Sequence, residues 1–280
     1  MDQRFPNWLR LIVGISALMQ IGFGLTLMVG PSQIGHVWPW VMPPLTTRIL
    51  GASTLVSVPL ALLSIGFNRY SFAAIPFVMM ATYRVLQLAA GVMHIERFGA
   101  NPVMSVNYFG GGALMLAVLS YGLWMGYRGR LTPAPHANAA AMPWDIPSLA
   151  RAALAILGIA FIILGIVFFV AAGNAPALWF DAKGITPLTA RLFSSPLTGL
   201  GLGLILVSRA TDWRSIAIPA IGMFTIGCVV LLAFALGRAD FAPQTMLAWL
   251  VACTPVALLT AGAAILMSKP AAQTLQATRN

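Results

Sequence analysis

The chain has 280 residues, 59% of them hydrophobic and 8% charged, with a formal net charge of +10. A soluble domain carries roughly 25% charged residues, so this composition excludes a soluble enzyme and, despite the basic balance, a nucleic-acid-binding domain. Apolar stretches of about 20 residues recur along almost the whole length, each able to cross a bilayer core of roughly 30 Å.

The expected fold is therefore all-α, an integral membrane protein with spans at 8–29, 45–66, 71–93, 106–127, 149–172, 187–208, 215–237 and 245–267. The first span is expected to be retained. Its apolar run from Leu11 to Val29 is longer than the 7–15 residues of a signal-peptide core, and no small-x-small cleavage site follows. The loop after it, Pro31 to Pro44, is too apolar for a free loop and too rich in proline for a helix. Its Trp38 and Trp40, with Trp179 in a later loop, are expected as aromatic belts at the outer interface. A shallow re-entrant form would need its backbone buried in protein. These outer aromatic loops are also the candidate surface for a protein partner.

The chain contains itself twice. Pro44-Leu45-Thr46-Thr47-Arg48 returns as Pro187-Leu188-Thr189-Ala190-Arg191. Ala74-Ile75-Pro76, with Met80 and Thr82, returns as Ala217-Ile218-Pro219, with Met223 and Thr225; Phe98 returns as Phe241. Every pair shares one offset, 143 residues. The expected organisation is a tandem duplication: a first four-helix repeat over 1–127, a cytoplasmic Pro/Ala-rich linker over 128–148, and a second repeat with a short tail over 149–280. Four spans per copy put both copies in the same orientation, as in parallel-repeat carriers. Asp145, Pro147 and Ser148 read as the start of the fifth helix.

Basic residues set the orientation. Ten lie on the face that holds the termini and the loops after helices 2, 4 and 6, against five on the other. Both termini are expected in the cytoplasm, with the chain in a bacterial plasma membrane.

Trp38-Pro39-Trp40 followed by Pro44-Leu45-Thr46-Thr47-Arg48 resembles a motif of uncharacterised bacterial multi-pass membrane proteins. The resemblance covers mainly this loop and the start of helix 2. The second copy departs from it, with Trp179-Phe180-Asp181 and a longer gap to Pro187. It implies no activity.

Polar residues inside spans are costly and are candidates for function. Arg84 is the foremost. It lies about 20 Å into its helix at 1.5 Å per residue, and an arginine there costs roughly 2.5–3.5 kcal/mol. All six acids, Asp2, Glu96, Asp145, Asp181, Asp212 and Asp240, fall outside the spans or at their ends. Gln87 lies one turn on, Tyr83 is adjacent, and Gln20 sits at a similar depth in helix 1. The offset pairs Arg84 with Gly227 and Gln87 with Val230, so the cluster Gln20, Tyr83, Arg84 and Gln87 belongs to the first copy alone. Two roles are open to Arg84. It pins helices through amides, carbonyls or buried water, or an anionic lipid or small molecule supplies its counter-charge.

Thr46, Arg48, Thr189 and Arg191 are candidates for outer-interface contact with anions or lipid; the arginines also suit loop carbonyls, and the threonines suit N-terminal caps. Gly110-Gly111-Gly112 and Gly199, Gly201 and Gly203 are expected to let helices approach closely. Cys228 and Cys253 are expected as free, buried thiols. No metal or other cofactor is expected, because His36, His94 and His136 all lie away from mid-membrane, and no catalytic constellation is visible. The two functions in view are a carrier or binding protein for a small or amphiphilic, neutral or anionic molecule, and a non-catalytic accessory, scaffold or assembly subunit.

Overall fold

A computed structural model of the protein describes residues 4–33, 38, 40–99, 101–131, 144, 146–181 and 183–268. His36, Pro39, His136, Asp145, most of the expected linker and the C-terminal tail lie outside the described residues. Among the described residues eight helices are long and apolar enough to cross a membrane. They are α1 (Asn7–Val29), α2 (Pro44–Phe67), α3 (Tyr70–Met93), α4 (Pro102–Arg128), α5 (Ser148–Val170), α6 (Pro187–Arg209), α7 (Trp213–Leu236) and α8 (Met246–Met267). The protein is an all-α polytopic membrane protein. Among the described residues the one departure toward β structure is an isolated bridge between Asp181 and Phe241.

Local chemistry accounts for the boundaries. Helix α4 begins four residues before the expected 106, because the Asn101 side chain accepts from Met104 N at 3.1 Å and Pro102 takes the first helical position. It also continues as helix to Leu131, so the start of the expected linker is helical. Helix α2 is interrupted at Val56, between Pro44–Leu55 and Ser57–Phe67. Pro59 lacks an N–H, and its ring crowds the carbonyl four residues back, at Leu55.

Helices α2, α3, α6 and α7 form the centre. Helix α3 packs on α6 and α7, and α2 packs on α7; α1 lies on α2, α5 on α6, α4 on α3 and α8 on α7. Small residues set these approaches, because in lipid close van der Waals contact has to hold helices together. A Cβ built at Gly201 would stand 2.6 Å from the Gly158 carbonyl oxygen, and one at Gly51 would stand 2.6 Å from that of Gly24. Gly199 and Gly203 lie against Met79, and Gly112 against Leu88, which is the packing role expected of them. Gly110 has only open space and Val106 beside it. Cys228 and Cys253 are free, as expected, but exposed rather than buried: they lie on the outer faces of α7 and α8.

Candidate functional site: a polar cavity among α1, α3 and α4

The first four helices line a cavity of about 290 Å³. Gln20, Tyr83, Arg84 and Gln87 all line it. The order of bonding within it differs from a single cluster around Arg84. Arg84 Nη1 donates to Gln87 Oε1 at 2.6 Å, one helical turn away on α3. Gln20 turns to other partners: its Nε2 lies 3.2 Å from both the carbonyl and the hydroxyl oxygen of Ser16, and its Oε1 accepts from the Ser57 hydroxyl. Two hydrogen-bonded groups therefore share one chamber.

Arg84 also lies beside the Tyr83 ring, its Cζ 5.4 Å from the ring centroid. Tyr83 shares the lining with Thr54 of α2. Among the described residues no carboxylate pairs with Arg84. A guanidinium in such a place gains from any acceptor that reaches it, because water is scarce and the local dielectric is low.

Helix α4 closes the chamber through an irregular turn. Val106–Gly111 is π-helical, and its residues Asn107, Tyr108 and Gly111 line the cavity. A π-turn inserts one residue per turn and re-aims side chains, a device frequent at functional sites. The Tyr108 hydroxyl donates to the Gln87 carbonyl oxygen. Its ring lies against α3 because Gly91 has no side chain there; a Cβ at Gly91 would stand 2.4 Å from the ring. Trp38, from the loop after α1, completes the lining, and its Nε1–H is buried with no hydrogen-bond partner among the described residues. An unmet buried donor costs about 1–3 kcal/mol, so Trp38 and Arg84 both offer donors that the described residues leave under-used.

The sequence pattern singles out four of the polar lining residues and misses Ser16, Thr54, Asn107 and Tyr108. Ser16 was accessible from its i,i+4 spacing to Gln20. Asn107 and Tyr108 were not, because their direction depends on the π-turn.

Among the described residues the second half shows no polar cluster at the matching positions. Gly227, paired by the offset with Arg84, packs against α8: a Cβ there would stand 2.5 Å from Leu259 Cβ and 2.7 Å from the Pro255 carbonyl oxygen. Val230, paired with Gln87, is buried. Helix α8 fills the space that α4 leaves open. The second half instead has an apolar cleft of about 470 Å³ between α5 and α8, near Trp144.

The other expected site residues sit in a separate place, the junction of the two halves. Trp40 Nε1 donates to Thr189 Oγ1 at 3.0 Å, and Trp179 Nε1 donates to Thr46 Oγ1 at 2.9 Å. Each loop thus reaches the start of the other half's helix. Trp40 and Trp179 are buried, not arranged as interface belts; both indoles have a hydroxyl partner in the interior. Thr46 and Thr189 are fully buried and are not lipid contacts. Neither is a cap. The Asp181 carboxylate accepts from Thr46 N at 3.0 Å and from Thr46 Oγ1 at 2.9 Å, so α2 is capped from the other half. Thr186 caps α6, its Oγ1 accepting from Thr189 N at 3.3 Å.

Arg48 and Arg191 reach inward as well. Arg48 Nη1 donates to the Met28 carbonyl at 2.7 Å and Arg191 Nε to that of Phe169 at 3.1 Å, in the last turns of α1 and α5. Cations are favoured there by the free carbonyls and the helix dipole. Both arginines thus bond to carbonyls at helix ends, not in loops.

Among the described residues no three of His, Cys, Asp and Glu gather as a metal site. No protein-family model matches the chain, and neither a curated protein nor a solved structure is significantly similar to it.

Proposed function

We propose that this chain is a membrane-embedded binding protein, of the kind used by carriers, for a small or amphiphilic molecule whose polar part is anionic or neutral. The observation that supports it is the cavity of about 290 Å³ that reaches Arg84, an arginine with an amide partner and no described carboxylate. Pockets that bind small molecules combine apolar walls with a few convergent polar groups, and this chamber has that make-up. A guanidinium presents a planar fork of donors suited to carboxylate or phosphate oxygens. No catalytic role is proposed.

The test is gentle purification followed by mass spectrometry of what accompanies the protein. The expected result is a specific anionic molecule with wild-type protein and its loss with Arg84→Gln. Hydrogen bonds to a charged group contribute about 1.5–3 kcal/mol, so affinity should fall roughly tenfold or more. A stoichiometric protein and no small molecule would instead assign the chain to the accessory-subunit class.

We also read the chain as a tandem duplication with both copies in one orientation and both termini on the cytoplasmic side of a bacterial plasma membrane. The pairs at the 143-residue offset support it, as does the exchange of Trp40 to Thr189 for Trp179 to Thr46. The excess of basic residues on one set of loops supports the orientation.

A further inference from the structure

We infer that the cavity takes a membrane-dissolved amphiphile, which enters sideways between α1 and α4 with an anionic oxygen headgroup leading and leaves its apolar tail in the bilayer. The inference rests on ligand binding at Arg84.

The position of the mouth comes first. The lining residues Ile15 and Met19 of α1 and Leu114 of α4 are also about half exposed on the outer surface of the bundle, at 50%, 47% and 53%. In a helix that spans the bilayer, that surface faces acyl chains. The cavity therefore opens between two peripheral helices onto lipid.

The distribution of polarity comes second. The deep wall, from α3 and the π-turn of α4, carries Arg84, Gln87, Tyr108 and Asn107. The rim carries Ile15, Met19 and Leu114. A ligand that crosses this rim is apolar where it touches the rim and polar at its leading end.

Size comes third. A volume of about 290 Å³ is at the lower edge of the roughly 300–1,000 Å³ typical of ligand pockets. It suits a headgroup and a short stem. The neighbouring cavities deeper in the bundle measure about 30 and 60 Å³ and offer no chamber for a long chain. A long tail is accommodated by the open rim.

The charge of the head follows from the donors. Among the described residues Arg84 has no carboxylate partner and the Trp38 Nε1–H has no hydrogen-bond partner. Acceptor oxygens satisfy both; a cationic head would meet an uncompensated guanidinium.

The experiment measures equilibrium binding of four probes to the full chain in phosphatidylcholine nanodiscs. Oleate and oleyl phosphate carry the tail, and butyrate and butyl phosphate carry the same heads in water. Wild type is expected to bind an oleyl probe saturably and at least about a hundredfold more tightly than its butyl counterpart, referred to the aqueous concentration. The preferred head separates a carboxylate from a phosphate ligand. Arg84→Gln should weaken the oleyl probe about tenfold or more. The double variant Ile15→Trp, Leu114→Trp narrows the rim and should weaken the oleyl probe while its thermal unfolding midpoint stays at the wild-type value. A butyl probe that binds as tightly as its oleyl partner overturns the inference, with or without the rim variant, and leaves binding at Arg84 standing. If no probe binds in an Arg84-dependent manner, the binding reading itself fails.

Discussion

His94 ends α3 where Arg191 of α6 bonds to its Nε2, and its Nδ1 lies 3.8 Å from Glu96 Oε1. Burial holds the imidazole below its ordinary value, and the charges of Arg191 and Arg97 add to the effect, against the opposing pull of Glu96. The folded state therefore takes up the proton at lower pH than the unfolded state. The neutral ring contributes stability above the unfolded value near 6.5, and that contribution is lost as pH falls below it. The thermal unfolding midpoint should drop between pH 7.5 and 5.5 in wild type, and His94→Gln should lose most of that dependence. The offset pairs His94 with Gly237, which packs on Leu45. Among the described residues Arg48 thus has no imidazole beside it, and its buried Nε has no hydrogen-bond partner. Asp181 is the other residue whose role is set by one contact. Asp181→Ala leaves Thr46 N without an acceptor, so a loss of about 1–3 kcal/mol is expected in reversible unfolding in mixed micelles. Asp181→Asn keeps an acceptor oxygen and should cost less.

At the scale of the element, hydropathy alone places each helix to within a few residues, because a bilayer demands an apolar run of fixed length. What it leaves open is the irregularity inside a run. The break of α2 at Val56 follows from Pro59, which is visible in the sequence. The π-turn at Val106–Gly111 has no comparable signal, since Val106, Asn107, Tyr108 and Phe109 fit an ordinary helix as well. Helix pairing is decided by small residues, and Gly227 is the clearest case. Gly227→Ala sets a methyl against Leu259 and the Pro255 carbonyl on α8. Overpacking of this kind costs about 1–3 kcal/mol, so the unfolding midpoint in detergent should fall. Gly66→Ala, at a position with open space around it, is the control and should leave the midpoint unchanged.

At the scale of the molecule, the halves are not independent bodies. Helix α3 packs on α6 and α7, α2 packs on α7, and the Trp40–Thr189 and Trp179–Thr46 bonds cross between halves. Cutting the chain within 132–143 should therefore give two fragments that co-purify when expressed together, while either alone is degraded. Stable accumulation of one half by itself would contradict this, and immunoblotting of tagged fragments decides it. The sequence by itself determined the membrane class and the eight spans, since length and hydropathy are sums over neighbours along the chain. It also picked Arg84 as the costly charge, because no acid shares its depth. The tertiary structure decided the rest. Gln20 went to Ser57 instead of Arg84, the loop tryptophans turned inward to the opposite half, and α4 stood off to leave a cavity where α8 closed one. These outcomes depend on which surfaces meet after packing, over separations of 37 residues for Gln20–Ser57 and 149 for Trp40–Thr189, and no local pattern carries that information.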